Sequence, residues 1–303
     1  MSTNPTPPQL PLGVVVNPHS ALGRGRRAGR RIAELLASRG LPVTVLSGSD
    51  QAECALAISR AAPNVRGFLL VGGDGLLSMF LQIPEARSKP FAIIPAGSGN
   101  DFAREFGVPR HQPAKALKRA LQAEARPRHV DALIVTAANG GERWVGCGFS
   151  LGFDARINRR ANAIRLPIGP LRYQVALLAE VLAGGSRTFD LELDGTTLRY
   201  PGLLTTVMNT RTLGGGIPVI PNADPEDGQL DVISVEQVTR RRLLSVLGLL
   251  AQGKHPGLPE VTIERGLRLR LASPGEIGYA DGERVGEGPF DIRVAAGALT
   301  VWV

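Results

Sequence analysis

The chain changes its rhythm once, near residue 130, and that change narrows the folds open to it. Before it, short apolar runs alternate with helical patterns. Residues 14–16, 43–46, 67–71 and 91–94 read as strands. Residues from about 26–39, 50–62 and 76–83, and a short stretch from Asp101, read as helices, with 72–75 as a loop. Asp50 suits the N-cap of the second helix, and Pro84 stops the third. Strands that alternate with helices build a parallel sheet covered on both faces. Beyond residue 130 strand follows strand, at 131–137, 143–147, 188–193, 203–208, 230–235, 261–263, 267–271 and 290–294. Turn signals such as Asn139-Gly140, Asp194-Gly195, Asp227-Gly228 and Asp281-Gly282 separate many of them. Two helical patterns interrupt, at about 169–183 and 240–252. The expectation is a doubly wound α/β domain over residues 1–130 and a β-sandwich domain over 131–295. Residues 296–303 are a candidate to return to the first domain. A length of 303 residues suits two domains.

Charge says what such a chain attracts. Its formal net charge is +8, carried mostly by Arg. A basic balance draws phosphates, whether of nucleotides, nucleic acids or anionic lipid headgroups. Nucleic acid is the weakest of these, because three Tyr and two Trp leave little to stack on bases. The two cysteines, Cys54 and Cys147, form no CxxC, which fits a reducing compartment. The four His are scattered and show no zinc spacing. The first residues, MSTNPTPPQLPLG, lack the basic and apolar regions of a secretory signal and read as a disordered lead-in. Apolar stretches such as 243–250 are too short to span a bilayer.

Three glycine-bearing loops, at 17–25, 72–75 and 97–100, each follow a strand and precede a helix. In an open parallel sheet, ligands bind beyond the C-terminal strand ends. Glycines let backbone approach a phosphate, and helix N-termini offer unpaired N–H groups to anions. Any one of these loops is most simply a tight turn, since Gly is the default turn residue. Three on one edge could surround a polyphosphate. Asp74 sits within the second loop. A carboxylate among phosphate-binding N–H groups makes sense if it holds Mg²⁺ or orients a nucleophilic hydroxyl, and otherwise bonds its own turn.

The segments NPHSALGRG (17–25), GGDGLLSMF (72–80) and PAGSGNDFAR (95–104) resemble the diacylglycerol kinase catalytic-domain family. That family includes bacterial diacylglycerol and related lipid kinases, sphingosine kinases and ceramide kinase, and is distantly related to NAD kinases and phosphofructokinases. GFSLGFDARI (148–157), GGGIPVIPNADPEDGQLDV (214–232) and ADGE (280–283) follow in the family's order, so the resemblance covers essentially the whole chain. It implies an NAD kinase/phosphofructokinase-like first domain and an ATP-dependent lipid kinase working between the domains. The implied acceptor is a lipid hydroxyl, diacylglycerol-like or sphingoid. Apart from the resemblance, the net charge and the Arg clusters at 24–31 and 240–242 point to a cytoplasmic protein in peripheral contact with anionic membrane; no nucleic-acid partner is expected, and a homodimer would be unsurprising.

The resemblance also assigns residues. Gly72, Gly73, Asp74, Gly75, Gly97, Ser98 and Asn100 would line the ATP phosphate site, with Asn17 and Ser47 beside it. A structural Mg²⁺ would be held by Asp224, Asp227 and the main-chain carbonyl of Gln229, all hard oxygen donors. Glu283 matches the family's general base, with Asp281 beside it, and the sphingosine-kinase branch gives the base role to the residue at Asp74. The division of labour between Asp74 and Glu283 is open. The chain departs from the family at Leu76, where most bacterial members carry Thr followed by an Asn-Glu pair, and in the longer first loop.

Three other readings compete. Gly148-Phe-Ser-Leu-Gly152 fits the G-x-S-x-G elbow of a serine hydrolase, which would recruit Ser150, Asp231 and His255. Gly23-x-Gly25-x-x-x-Gly29 is a near match to a dinucleotide fingerprint, with Arg24, Arg26 and Arg27 available to a 2′-phosphate. A degenerate module that binds nucleotide or lipid without turnover would account for Leu76 but not for the retained Asp74, Asp227, Asp281 and Glu283.

Overall fold

The computed structural model describes residues 10–16, 24–164, 171–183 and 185–303. Asn17 and most of the first glycine loop lie outside the described residues, as does the N-terminal lead-in. The described chain forms two compact units. One runs to His129 and takes back Leu299–Val303; the other is Val130–Ala298.

The first unit is built on strands β1 (Leu12–Val16), β2 (Val43–Leu46), β3 (Gly67–Gly72) and β4 (Phe91–Pro95). They pair in parallel in the order β2-β1-β3-β4. Every residue of β1, β3 and β4 is buried, as expected of strands covered on both faces. Val45 of β2 is exposed, as suits the edge. Val301 pairs in parallel with Phe91, and the Trp302 N–H donates to the Phe91 carbonyl at 2.8 Å.

Helices follow each strand. Helix α1 (Arg24–Ala37) turns Ile32 and Leu36, four apart, into the core. Its Gly29 lets it close on β1, because a Cβ there would lie 2.4 Å from Val16 Cγ2. Helix α2 (Gln51–Ala61) starts at Asp50, whose Oδ1 accepts the Glu53 N–H at 2.8 Å. Helix α3 (Asp74–Leu81) begins two residues earlier than the sequence reading places it. Gly73 is extended and acts as its N-cap, so Asp74 and Gly75 belong to the first helical turn and not to a loop. Pro84 does not end that helix. It opens the short α4 (Pro84–Arg87), where a first-turn position needs no N–H. Helix α5 is Asp101–Glu105. Helix α6 (Pro113–Ala123), absent from the sequence reading, buries Ala116, Leu117 and Ala120.

Beneath α3 and α5 runs a column of rings. Phe68 meets Phe80 at 5.2 Å between centroids, Phe80 meets Phe91 at 5.1 Å, Phe91 meets Phe102 at 6.2 Å, and Phe102 meets Phe106 at 5.1 Å. Each such pair contributes about 0.5–1.5 kcal/mol beyond its buried area. The column fixes the two helices whose first turns carry the glycine loops.

The second unit contains β5 (Arg128–Thr136), β6 (Glu142–Val145), β7 (Gly148–Gly152), helices α7 (Phe153–Ala163) and α8 (Leu171–Ala183), β8 (Arg187–Leu193) and β9 (Thr196–Met208). A small hairpin, β10 (Thr212–Leu213) and β11 (Ile217–Pro218), precedes β12 (Leu230–Glu236), α9 (Arg240–Leu250), β13 (Val261–Gly266), β14 (Arg268–Ala272), β15 (Ile277–Ala280), β16 (Glu283–Glu287) and β17 (Phe290–Val301). The long β9 serves two layers. Residues before Gly202 pair with β8, and residues beyond it pair with β7 and β12. One layer continues from β8 through β14 to β17, and the other from β7 through β15 to β16. Leu133, Phe149, Phe189, Val207, Leu230, Leu271 and Phe290, drawn from both layers, meet in a shared core. This is a β-sandwich, as the sequence reading expected.

Helix α7 and strands β7, β15 and β16 are missing from that reading. Gly278 and Gly286 interrupt the apolar pattern of β15 and β16. Gly278 is required where it stands, since a Cβ there would lie 2.6 Å from the Phe149 ring.

Candidate active site

The parallel order of the first unit brings the C-terminal ends of its strands to one edge. Ser47 follows β2, Gly73 and Asp74 follow β3, and the segment 96–100 follows β4. Ser47 and Ser98 are exposed there.

The two glycine loops pack back to back. A Cβ on Gly73 would lie 2.9 Å from the Gly97 Cα, and one on Gly97 would lie 2.6 Å from the Gly73 Cα. The Ala96 N–H donates to the Gly72 carbonyl at 2.8 Å, continuing the register of β3 with β4. Asn100 adopts a left-handed backbone, φ 57° and ψ 46°, which Asn tolerates better than most residues. Its buried amide closes the loop on itself: Oδ1 accepts the Gly97 N–H at 3.1 Å and Nδ2 donates to the Gly97 carbonyl at 2.8 Å. Asn100 thus shapes the loop, and the outward surface is left to backbone and Ser98.

Gly75 differs from its neighbours. It is helical, and a Cβ at its position would meet nothing within 4 Å. Neither backbone strain nor packing accounts for a glycine here. Space kept bare at a helix N-terminus is what close approach of an anion needs. Asp74 Oδ1 accepts the Phe102 N–H at 3.3 Å, joining the first turns of α3 and α5. Leu76 points the other way. It is buried, and a Cβ on Gly72 would lie 2.6 Å from its Cδ2, so this departure from the family pattern fills core.

In the second unit, Asp281 and Gly282 form a tight hairpin turn between β15 and β16, with φ of 47° and 84°. The Asp281 carboxylate is committed. Its Oδ2 accepts the Gly146 N–H at 2.7 Å, and its Oδ1 accepts those of Cys147 and Gly148 at 2.9 and 3.1 Å. Burial pushes this carboxyl up, against the pull of those three N–H groups. Asp281 is an anchor for the turn. Glu283, two residues on at the start of β16, is exposed.

The loop before β12 gathers acids. Asp224 Oδ1 accepts the Glu226 N–H at 3.1 Å, and Asp227 Oδ1 accepts that of Gln229 at 3.0 Å. Asp131 binds the Gly228 and Gly297 N–H groups at 2.7 and 2.6 Å. Asp231 Oδ1 takes Arg265 Nε at 2.8 Å, while its buried Oδ2 has no hydrogen-bond partner among the described residues. Arg265 also lies 3.4 Å from Asp227 Oδ2. Burial pushes Asp131 and Asp231 up, and the charges of Asp227 and Asp224 push the same way. The carboxylates of Asp231, Asp227 and Asp224 all act on the Arg265 guanidinium and outnumber it. Among the described residues, no three His, Cys, Asp or Glu side chains are grouped to hold a metal by themselves. A site here would need the Gln229 carbonyl and solvent to complete it.

Sequence reasoning passed over Asn209. Its buried Nδ2 donates at 2.9 Å both to the Asp131 carbonyl and to that of Gly146. It therefore couples the acidic loop to the segment that holds Asp281. Its only signal is a polar residue directly after an apolar strand.

The hydrolase constellation does not assemble. Ser150 lies within β7 and bonds Asp154, Asp231 pairs with Arg265, and the His255 Nε2 donates to the Val219 carbonyl at 2.7 Å. Of the dinucleotide-like glycines, Gly23 lies outside the described residues, and Gly25 and Gly29 are inside α1.

Residues 11–133 match the diacylglycerol kinase catalytic domain, and residues 147–303 match the YegS C-terminal NAD kinase beta sandwich-like domain. The chain is 35% identical over 289 residues to a diacylglycerol kinase of Mycobacterium tuberculosis, covering 95% of this chain and 93% of that one. It is 22% identical over 209 residues to a diacylglycerol kinase of Bacillus subtilis, covering 67% and 66%. In fold it is similar to the crystal structure of a diacylglycerol kinase from Bacillus anthracis str. Sterne, with a TM-score of 0.74, 20% identity and 96% of each chain covered. Two domain matches in succession and a relative of this identity along nearly the full length establish that the chain belongs to the diacylglycerol kinase catalytic-domain family.

Proposed function

We propose that the protein transfers the γ-phosphoryl group of ATP to the hydroxyl of a diacylglycerol-like or sphingoid lipid, with Glu283 as general base. The observation that carries this is the bare space at Gly75 beside the interlocked Gly73 and Gly97. The α3 N-terminus and the surrounding amides would receive the phosphates there, with Ser47 and Ser98 exposed beside them. Asp74 would engage the Mg²⁺ that accompanies ATP, or the phosphates through it. Phosphoryl transfer asks for positioning, charge neutralisation and a proton acceptor on the attacking hydroxyl. Glu283 is exposed and suits the last task, while Asp281 holds its turn in place. The family membership and the name of the Mycobacterium tuberculosis relative support the lipid acceptor. Leu76 is buried against Gly72, so its side chain does not crowd the glycine loops, although it supplies no hydroxyl to a phosphate.

A structural Mg²⁺ would be held by Asp224, Asp227 and the Gln229 carbonyl. The oxygen donors, the excess of carboxylates over Arg265 and the unpartnered Asp231 Oδ2 all suit a cation. When bound, it would neutralise the cluster and stiffen the loop. Mg²⁺ is expected to raise the melting temperature of the wild type but not of Asp227→Asn. Equal shifts in both proteins would contradict this assignment.

The reading makes the protein cytoplasmic, where ATP is available, and peripheral to a membrane, where its acceptor resides. Among the described residues no helix is long and apolar enough to cross a membrane. Incubation with γ-labelled ATP, Mg²⁺ and a total lipid extract is expected to yield a labelled lipid. Label confined to ATP and inorganic phosphate would defeat the proposal.

A further inference from the structure

We propose that the outer face of α8 is a docking surface for an anionic lipid bilayer. Helix α8 is amphipathic in the inverted sense. It turns Ala176, Glu180 and Val181 inward and leaves Val175, Leu178 and Leu182 51%, 60% and 62% exposed. These three fall at i, i+3 and i+7, one continuous stripe. On an ordinary surface helix that stripe would be polar; here α8 is apolar outside and, apart from Glu180, largely apolar inside as well.

An ion-pair network sets this orientation. Glu180 receives Arg156 Nε and Arg160 Nε on its two oxygens, each at 2.6 Å. Arg156 also reaches Glu276 Oε1 at 2.9 Å, and the same oxygen takes Arg187 Nε at 2.8 Å. Arg156, Glu180 and Glu276 are nearly fully buried. Rolling α8 to hide its leucines would tear Glu180 from both arginines and strand charge in the interior. The apolar face is therefore held outward by the core beneath it. Helix α9, which packs beside α8, exposes a further leucine, Leu244.

Charge selects the occupant. The exposed charges described on α7 and α9 are Arg159, Arg240 and Arg241, with Arg160 and Arg187 half-exposed nearby. The carboxylates of these three helices are engaged below: Glu180 with its arginines, and Asp154 with Thr206 at 2.6 Å. An apolar stripe on a helix that contacts α7 and α9, whose exposed charges are arginines, with no exposed carboxylate among the described residues of the three helices, complements an anionic interface. A second copy of the chain would set the same basic rim against itself. The proposal rests on the lipid-kinase reading for its purpose, but on the helix for its substance.

The test is sedimentation of the full chain with phosphatidylcholine vesicles, with and without phosphatidylglycerol, in the absence of ATP. The wild type is expected to bind the anionic vesicles, and less so as salt rises. The double variant Leu178→Ser, Leu182→Ser should lose at least about tenfold in partition, because its contribution is buried apolar area. Arg240→Gln with Arg241→Gln should weaken binding and flatten its salt dependence. Leu267→Ser, on a different and equally exposed leucine, should leave binding unchanged. Unchanged melting temperatures will show that each variant is folded. Wild-type binding by the α8 double variant, or equal loss in Leu267→Ser, would overturn the proposal. So would a sedimentation profile in which the α8 variant only splits a dimer while vesicle binding persists. Vesicle binding lost in the α8 double variant and kept in Leu267→Ser upholds the docking face even if no lipid is phosphorylated, which keeps it separable from the kinase reading.

Discussion

Gly75 and Asn100 belong to the same glycine-loop motifs but do different things. Asn100 spends its amide on the backbone of Gly97, and Asp281 likewise spends its carboxylate on three backbone N–H groups. The motifs locate these residues at strand ends, but a motif cannot say what a side chain touches. Gly75 has no structural employment, and that makes it diagnostic. Gly75→Ala is expected to leave stability unchanged or to raise it by about 0.5–1 kcal/mol, since alanine is the better helix former. The same change should weaken ATP binding by bringing a methyl group into the bare space. A thermal melt and an ATP titration on one sample check both halves. Loss of stability with ATP affinity intact would contradict the assignment. Gly97→Ala should instead destabilise, because its methyl would meet the Gly73 Cα.

The elements most legible in the sequence were those with a clean period and a chemical boundary. Helix α2 begins at Asp50 as its capping chemistry requires, and β2 matches its apolar run. Helix α7 was invisible because GFSLG reads as one motif, whereas the chain finishes a strand there and turns at Gly152, φ 103°, into a helix. Helix α8 was found by its apolar residues, but its orientation was not legible. A helical wheel would bury Leu178 and Leu182 and expose Glu180, and tertiary ion pairs reverse that. Burial alone would push the Glu180 carboxyl up; hydrogen bonds and charge from Arg160 and Arg156 outweigh it and hold the group below its ordinary value of 4.5. A carboxylate with a depressed folded pKa stabilises above its unfolded value and loses that contribution as pH falls through the folded one. Wild-type stability should therefore drop as pH falls below about 4.5, and this part of the drop should be missing in Glu180→Gln. At neutral pH Glu180→Gln should cost about 3–5 kcal/mol, because Arg156 is left buried with one partner fewer. Denaturant unfolding across this pH range measures both. Parallel pH profiles for the two proteins would remove Glu180 as the cause.

At the scale of the molecule, the change of rhythm near residue 130 made the architecture readable. Continuous apolar runs alternating with helices can only be satisfied in a two-sided parallel sheet, and the later strands with Asx-Gly turns only by layers of antiparallel pairs. The sandwich's sharing of β9 between layers was not readable, because it depends on where pairing switches near Gly202 rather than on composition. The parallel sheet carries the glycine loops at its C-terminal edge, and the sandwich carries Glu283 on a turn pinned by Asp281. The most direct measurement compares wild type and Glu283→Gln for transfer of the γ-label of ATP to lipid, alongside ATP binding. With Glu283 as general base, labelled lipid is expected from the wild type, with a loss of at least about a hundredfold in the variant and ATP affinity within about twofold of wild type. Wild-type turnover in Glu283→Gln would contradict that role.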